Sequence, residues 1–201
     1  MGNLVAKHII SRVTAPSNLL TLAEAKSQLN ALHTEQDAYI TDLVTSATAE
    51  LDGPDGMYGY PVADQRWQVI ASGPDTDGRL VFTVTPVRTI HSVAYWPAGG
   101  GAQVVHTSAP DLANWQLWAN ETWAYLVPVS DVWPALADRE DALTVQFNVG
   151  YSPVPADVKH ACRLVVTGMY ENRSSMIAGN IKESPALENL VAKRRRWWLT
   201  S

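Results

Sequence analysis

The side chains of this sequence best suited to bind a metal ion or attack a substrate are five histidines and one cysteine. A zinc site on a helix needs two histidines four residues apart, or a histidine near a cysteine cluster, and neither pattern occurs. The single thiol, Cys162, lies in an apolar helical pattern and is expected to be a small buried hydrophobic residue rather than a nucleophile. We predict no metal site and interpret the histidines as surface or packing residues. They are His8, His33, His91, His106 and His160.

Two glycine-containing segments resemble parts of known ligand-binding loops. The triple glycine at residues 99–101 lacks the lysine and the serine or threonine that follow in a phosphate-binding loop. The Asp-Thr-Asp-Gly sequence at residues 75–78 resembles part of a calcium loop, but no glutamate follows at the required spacing. We interpret the triple glycine as a hairpin or a flexible tip and residues 75–78 as a turn, and the sequence predicts no cofactor.

A cluster of cations near the end of the sequence is the clearest candidate for a binding segment. The cations can pair with carboxylates or phosphates while the tryptophans that follow bury apolar area at a partner. We expect docking on a protein; the alternatives are a solvated, frayed tail and contact with DNA phosphates. The residues are Lys193, Arg194, Arg195, Arg196, Trp197 and Trp198.

Composition favours protein partners over nucleic acid. A net charge of -5 and a pI near 5.5 argue against a protein that grips nucleic acid over its whole surface, although an acidic protein can surround DNA without holding it. The eight tryptophans are unusual, because tryptophan is enriched at protein contacts. Trp115, Trp118 and Trp133 lie in loop-like sequence and are candidates for contacts between subunits.

Hydropathy gives no sign of a membrane segment. No stretch approaches the length of about 18 apolar residues that a membrane-spanning helix needs. Residues 1–7 also lack the charged and then apolar order of a secretion signal. We expect a soluble protein that is made and kept in a cytoplasm and has no membrane partner.

Two helices are predicted near the start of the sequence. Thr21 and Glu24 form a capping box, after which apolar residues recur on one helical face. Thr34 with Asp37 gives a weaker start for a second, amphipathic helix. Two glycines and a proline within residues 52–56 end that helix.

From about residue 66 the hydrophobic period changes to two, which indicates antiparallel strands with one buried face. The clearest alternation covers residues 143–149. Ile90 is out of phase with Val93, so a bulge near His91 is predicted.

A long helix closes the predicted fold. After residue 155 the period lengthens again, and one apolar stripe defines the expected core of this helix. The fold class is therefore α+β, with an N-terminal helix pair, a central antiparallel β region, a long closing C-terminal helix and extended termini. The stripe consists of Val158, Ala161, Cys162, Val165 and Met169.

The predicted domain organisation has three parts. Residues 1–18 show no sustained period and form an N-terminal arm outside the core, and residues 19–175 form the main domain. Residues 176–201 form a C-terminal extension.

Four segments, taken in order, carry a resemblance to a known family. They are the Leu-Thr-Leu-Ala-Glu-Ala-Lys start at residues 20–26 with Leu29, the second helix at 37–47, the proline-valine strand segment at 85–95, and the stretch from Val-Gly-Tyr to Tyr-Glu-Asn-Arg at 149–173. Together they resemble the head-tail connector family of long-tailed bacteriophages and related phage-like particles. The resemblance covers most of the chain but neither end, and it rests on the order of the four segments.

This resemblance implies a non-enzymatic virion protein, made in the host bacterial cytoplasm and located at the head-tail interface. It would act as the adaptor, a usually dodecameric ring of identical subunits beneath the portal protein, with a stopper, terminator or tail protein on its other face. Double-stranded DNA would pass through the centre without sequence-specific binding. The alternatives are another neck component, such as a stopper or tail terminator, and a small phage-encoded hydrolase, for which the sequence offers no matching nucleophile and base.

Our own hypothesis for the basic end is that residues 185–198 dock on the portal, and that Lys193 to Trp198 make the contact. We predict from the sequence that removing residues 185–201 weakens portal binding and leaves the fold intact.

Overall fold

In a computed structural model, which describes residues 8–172 and 184–196, contacts divide the chain into two units. The sheet unit contains the described residues up to Ala15 together with Gln65–Gly150. The helical unit contains Pro16–Asp64 and the described residues from Tyr151 onward. The sequence predicts one main domain over residues 19–175. The structure has two units instead, because helices distant in sequence share one core and the strands between them share another.

The sheet unit is built around a five-stranded antiparallel sheet with the clearest predicted strand at its centre. Side chains of this central strand, β8, alternate between buried and half-buried, which is the period-two pattern of the sequence. In sheet order the strands are β1 (Ile9–Arg12), β2 (Gln65–Ala71), β8 (Leu143–Val149), β4 (Val87–Tyr95) and β5 (Val104–His106).

A smaller, three-stranded antiparallel sheet belongs to the same unit, and a short helix, α3 (Ala109–Leu112), precedes its edge strand β6. The two sheets share one apolar core, in which the rings of Phe82 and Phe147 lie 4.4 Å apart between centroids. In sheet order the strands are β3 (Leu80–Phe82), β7 (Ala124–Pro128) and β6 (Trp115–Ala119).

A bulge and an edge strand of the large sheet can be compared with the predictions made from sequence. The bulge predicted near His91 is confirmed, because the pairing of β4 with β8 shifts register between Ile90 and Ser92. The segment expected as an arm outside the core supplies β1, which pairs with β2 from Ile9 to Arg12. Four residues are too few for a periodic pattern to stand out in sequence.

The helical unit contains four helices in its described part: α1 (Leu22–Leu29), α2 (Asp37–Leu51), α4 (Ala156–Glu171) and α5 (Pro185–Ala192). The predicted capping box is confirmed, since Thr21 Oγ1 accepts from the Glu24 N–H and the Glu24 carboxylate accepts from the Thr21 N–H. The second helix begins at Asp37 rather than at Thr34, and its N-cap residue Gln36 makes no side-chain cap. With helices and antiparallel sheets in this order, the α+β class is confirmed.

The closing helix α4 lies in the core of the helical unit. Val158, Ala161, Cys162 and Val165 are fully buried, and Met169 is half-buried against the same cluster. Burial raises the pKa of the Cys162 thiol to about 12, so this side chain is protonated at neutral pH.

The last helix is part of the same core. Leu187 and Val191 of α5 are 1% and 2% exposed and belong to the cluster that α4 and α2 also line. This burial argues against the prediction that removing residues 185–201 leaves the fold intact. The predicted C-terminal extension therefore contains a structural helix.

An ion pair joins α1 to α4. Lys159 Nζ lies 2.6 Å from Glu24 Oε1. The Lys159 side chain is 30% exposed and the Glu24 side chain 28% exposed, so the pair is partly shielded from solvent. The hydrogen bond from Lys159, and then that from the Thr21 N–H, lower the pKa of Glu24 from 4.5 to about 2. The charged form of Glu24 is thus favoured by folding.

We predict that Glu24→Gln lowers the free energy of unfolding by about 1 to 2 kcal/mol at neutral pH, because the amide keeps the helix cap but loses the charge. The depressed pKa gives stability that is present above pH 4.5 and lost as the pH falls towards 2. Urea denaturation at several pH values should therefore show the difference between wild type and variant narrowing below pH 4.5. A difference that is constant with pH would contradict the assignment.

Candidate interaction surfaces

The predicted basic segment begins inside the helical unit. Arg194 Nε donates to Asp157 Oδ2 at 2.5 Å, and its guanidinium lies 5.5 Å from the Tyr151 ring centroid. Burial opposes ionisation of Asp157, but the hydrogen bond and charge of Arg194 outweigh it and hold the pKa of Asp157 below its ordinary value. The hydrogen bond to Asp157 also raises the pKa of Arg194. The structure thus fixes Arg194 as a charged partner of α4.

Arg196 is held by a second set of contacts. Its backbone N–H donates to the Tyr58 carbonyl at 3.0 Å, and its guanidinium lies 4.0 Å from the centroid of the Tyr60 ring. The two residues between and before these arginines, Lys193 and Arg195, are exposed. Arg194 and Arg196 therefore anchor this segment to the helical unit.

The other two residues of the predicted docking segment, Trp197 and Trp198, lie outside the described residues. They follow directly on Arg196, whose backbone and side chain are both anchored. The contacts of Arg196 therefore fix the backbone position that directly precedes Trp197.

Two of the three tryptophans predicted at subunit contacts pack within the sheet unit. Trp115 and Trp133 are half-buried against its core, with ring centroids 5.1 Å apart. Trp133 Nε1 also donates to the Gly78 carbonyl at 2.7 Å. Their aromatic area serves the fold of this subunit.

The third, Trp118, belongs to an exposed group on the small sheet. The register of that sheet places Val81, Tyr125 and Trp118 opposite one another on three neighbouring strands, so their side chains share one face. Trp118 and Trp123 are each 46% exposed, and Val81 is exposed beside them. Large apolar side chains grouped in this way indicate a contact surface.

The rings of this face stack, and a cation covers one of them. Tyr125 is nearly parallel to Trp123 at 5.6 Å and to Trp118 at 6.4 Å between centroids. The Arg79 guanidinium lies 4.8 Å from the Tyr125 centroid. We call these five residues, Arg79, Val81, Trp118, Trp123 and Tyr125, the aromatic face.

Sequence reasoning missed Trp123, which the period-two pattern places only in a strand. The turn before it gives a usable signal. Asn120 Oδ1 accepts from the N–H groups of Thr122 and Trp123, both at 2.8 Å, which makes a side-chain-bonded turn between two tryptophans. Tryptophans on both sides of a polar turn at a hairpin end are poorly placed for burial.

The segment at residues 75–78, which resembles part of a calcium loop, is a turn held by its first side chain. Asp75 Oδ1 accepts from the N–H groups of Asp77 and Arg79 at 3.1 and 2.7 Å. Within residues 8–172 and 184–196, no group of three histidine, cysteine or acidic side chains is placed to hold a metal ion. Over the same residues, no helix has the length and apolar character needed to cross a bilayer.

The similarity of this chain to known proteins lies in its fold. No protein-family model matches this chain. No curated protein matches it either. Its fold is similar to that of gene transfer agent neck chains. One, from "Neck of empty GTA particle computed with C6 symmetry", is 19% identical, with a TM-score of 0.68 over 96% of this chain and 98% of that one.

Two further structures show the same likeness with the same coverage of 96% and 98%. A chain of "Virion of native gene transfer agent (GTA) particle" is 17% identical with a TM-score of 0.68. A chain of "Neck of native GTA particle computed with C12 symmetry" is 14% identical with a TM-score of 0.59. The TM-scores and the coverage establish a shared fold that spans nearly the whole chain.

Proposed function

We propose that this protein is a structural, non-enzymatic component of the neck of a phage-like particle, where it forms the adaptor ring that joins the portal to the tail or to the next neck protein. The observation that carries the proposal is the likeness in fold, over 96% of the chain, to a chain of a gene transfer agent neck. The ordered segments that resemble the connector family support it independently. Residence in the virion follows from the same proposal.

A ring of identical subunits, dodecameric in the simplest form, fits this role. Fold neighbours come from necks computed with C6 and C12 symmetry. A closed ring satisfies both lateral surfaces of every subunit, and its symmetry multiplies weak contacts with the portal. The net charge of -5 suits a channel that lets double-stranded DNA slide through without holding particular sequences.

Another neck component, a stopper or a tail terminator, is the second candidate. The sixteen-residue helix α4 at the centre of the helical unit favours the adaptor, because the alternatives are expected to be mainly sheet. A small hydrolase is the least favoured alternative. Turnover that a single point substitution abolishes would support it over an assembly role.

We further propose that the C-terminal residues dock on the portal. Arg194 and Arg196 are engaged within the helical unit and anchor the segment, while Lys193 is exposed. The two tryptophans that follow in sequence would supply the apolar part of the contact, and Lys193 would pair with a carboxylate of the portal.

Two experiments test these proposals. Reconstruction of purified particles of the parent virus should place this protein between capsid and tail, and particles that lack it would overturn the proposal.

Removing residues 197–201 should weaken portal binding more than about tenfold, since buried tryptophans at interfaces contribute about 2 kcal/mol or more each. Removing only Thr200 and Ser201 is the matched control. Unchanged portal affinity without residues 197–201 would eliminate the docking proposal.

A further inference from the structure

The ribbon formed by β6 and β7 has two chemically different ends. Its pairing runs from Ala119 opposite Ala124 at the hairpin end to Trp115 opposite Pro128 at the open end. The aromatic face has its two exposed tryptophans at the hairpin end. A different exposed apolar group lies just beyond the open end.

That second group is the turn of residues 129–132, which we call the apolar turn. Val129 and Val132 are 59% and 71% exposed, and Asp131 between them is exposed as well. The backbone is held in place, because the Val129 N–H donates to the Asn114 carbonyl at 2.8 Å and the Asp131 N–H to the Pro128 carbonyl at 3.1 Å. The turn therefore presents two valines and a carboxylate to solvent on a fixed support.

The charges of the two groups are complementary. Arg79 of the aromatic face is exposed and lies over Tyr125, and it forms no ion pair with any described carboxylate. Asp131 likewise has no ion-pair partner among the described residues. A surface of aromatic rings with one unpaired cation thus matches a turn of aliphatic side chains with one unpaired anion.

We propose that the aromatic face of one copy of this chain receives the apolar turn of the next copy, with Arg79 and Asp131 paired across the contact. The inference rests on the proposed ring and names its lateral contact. In the proposed contact the aromatic face of each copy meets the apolar turn of the next, which is a head-to-tail arrangement, and such contacts generate rings when the rotation between copies closes. Tryptophan, tyrosine and arginine are the residues most enriched among dominant contacts at interfaces, and the charge pair sets the register.

A second copy is the occupant because the same chain carries both complementary surfaces. In a ring, every copy then covers the aromatic face of one neighbour and has its own covered by the other. A different neck protein on the aromatic face would leave the valines of the apolar turn uncovered. It would also leave the opposite charges of Arg79 and Asp131 without an ion pair between them.

Charge reversal tests the pairing on the full-length protein. Arg79→Glu alone and Asp131→Lys alone should each reduce ring formation at least tenfold by native mass spectrometry, because each places like charges opposite each other. The double variant should restore rings. Asp138→Lys, which reverses an exposed carboxylate outside the turn, should assemble as the wild type does. Rings that form normally with either single reversal would overturn the inference.

Lysine adopts the φ of 56° found at Asp131 less readily than aspartate does, so backbone strain also affects the Asp131→Lys variant. Cysteine crosslinking gives a second readout that does not depend on this variant. Val81→Cys and Val132→Cys proteins, mixed under oxidising conditions, should give mixed disulfide dimers and no dimer of Val81→Cys with itself. The native Cys162 is buried, so the wild type is the blank. A Val81→Cys homodimer, or rings without mixed dimers, would overturn the head-to-tail contact. A wild type that forms no ring and is absent from particles would instead remove the proposed function.

Discussion

Removal of residues 185–201 should lower the free energy of unfolding of the helical unit by roughly 5 kcal/mol, because it uncovers a core that α5 closes. Leu187 and Val191 are almost completely buried there, and Asp157 also loses its arginine partner. Helical circular dichroism during urea denaturation is the measurement, since the long helices belong to this unit.

Point variants separate this effect from loss of the chain end. Leu187→Ala should cost about 3 kcal/mol through the cavity that it leaves, while Glu188→Ala, at an exposed position of the same helix, should stay within about 0.5 kcal/mol of the wild type. If the truncated protein unfolds at the same urea concentration as the full chain, α5 is not part of the core.

Phe147→Ala should destabilise the sheet unit by about 4 kcal/mol. Phe147 is fully buried in β8, and its ring centroid lies 4.4 Å from that of Phe82 on the smaller sheet. Tryptophan fluorescence reports this unit, because six of the eight tryptophans lie within Gln65–Gly150. The urea midpoint of the fluorescence transition should therefore fall.

The neighbouring Gln146→Ala is the matched control, since Gln146 is half-buried on the opposite face of the same strand. It should change the midpoint little. Equal losses for the two variants would mean that the alternation of β8 does not separate the core from the opposite face.

Local signals account for the parts of the fold that the sequence predicts well. The capping box of Thr21 and Glu24 starts α1 because both partners lie within one turn, and the alternation over residues 143–149 produces a strand because one face of it is buried. The bulge at His91 also follows from a local slip of phase. Each of these needs only neighbours in sequence.

The rest depends on contacts between distant residues. β1 exists because β2 offers an edge to pair with, and its four residues carry no period. α5 is helical and buried because α4 and α2 supply a core for Leu187 and Val191. The division into two units likewise reflects which helices meet, which no local pattern specifies.

The candidate contact surfaces divide in the same way. Residue type predicts that tryptophans and a basic run make contacts, but only the register of the small sheet separates exposed Trp118 from half-buried Trp115. The contacts of Arg194 and Arg196 with the helical unit join residues that are far apart in sequence. The basic run taken alone therefore gives no sign that two of its arginines are anchored.

The order of the segments along the chain has a consequence for synthesis on the ribosome. The apolar face of α2, with Ile40, Val44 and Leu51, leaves the exit tunnel well before α4, against which it packs. Every strand from β2 to β8 is translated in between, so the nascent chain carries an apolar helix that α4 does not yet cover while the sheets form. Fragments that end before Ala156 should therefore aggregate or recruit chaperones, whereas the finished chain covers this face itself.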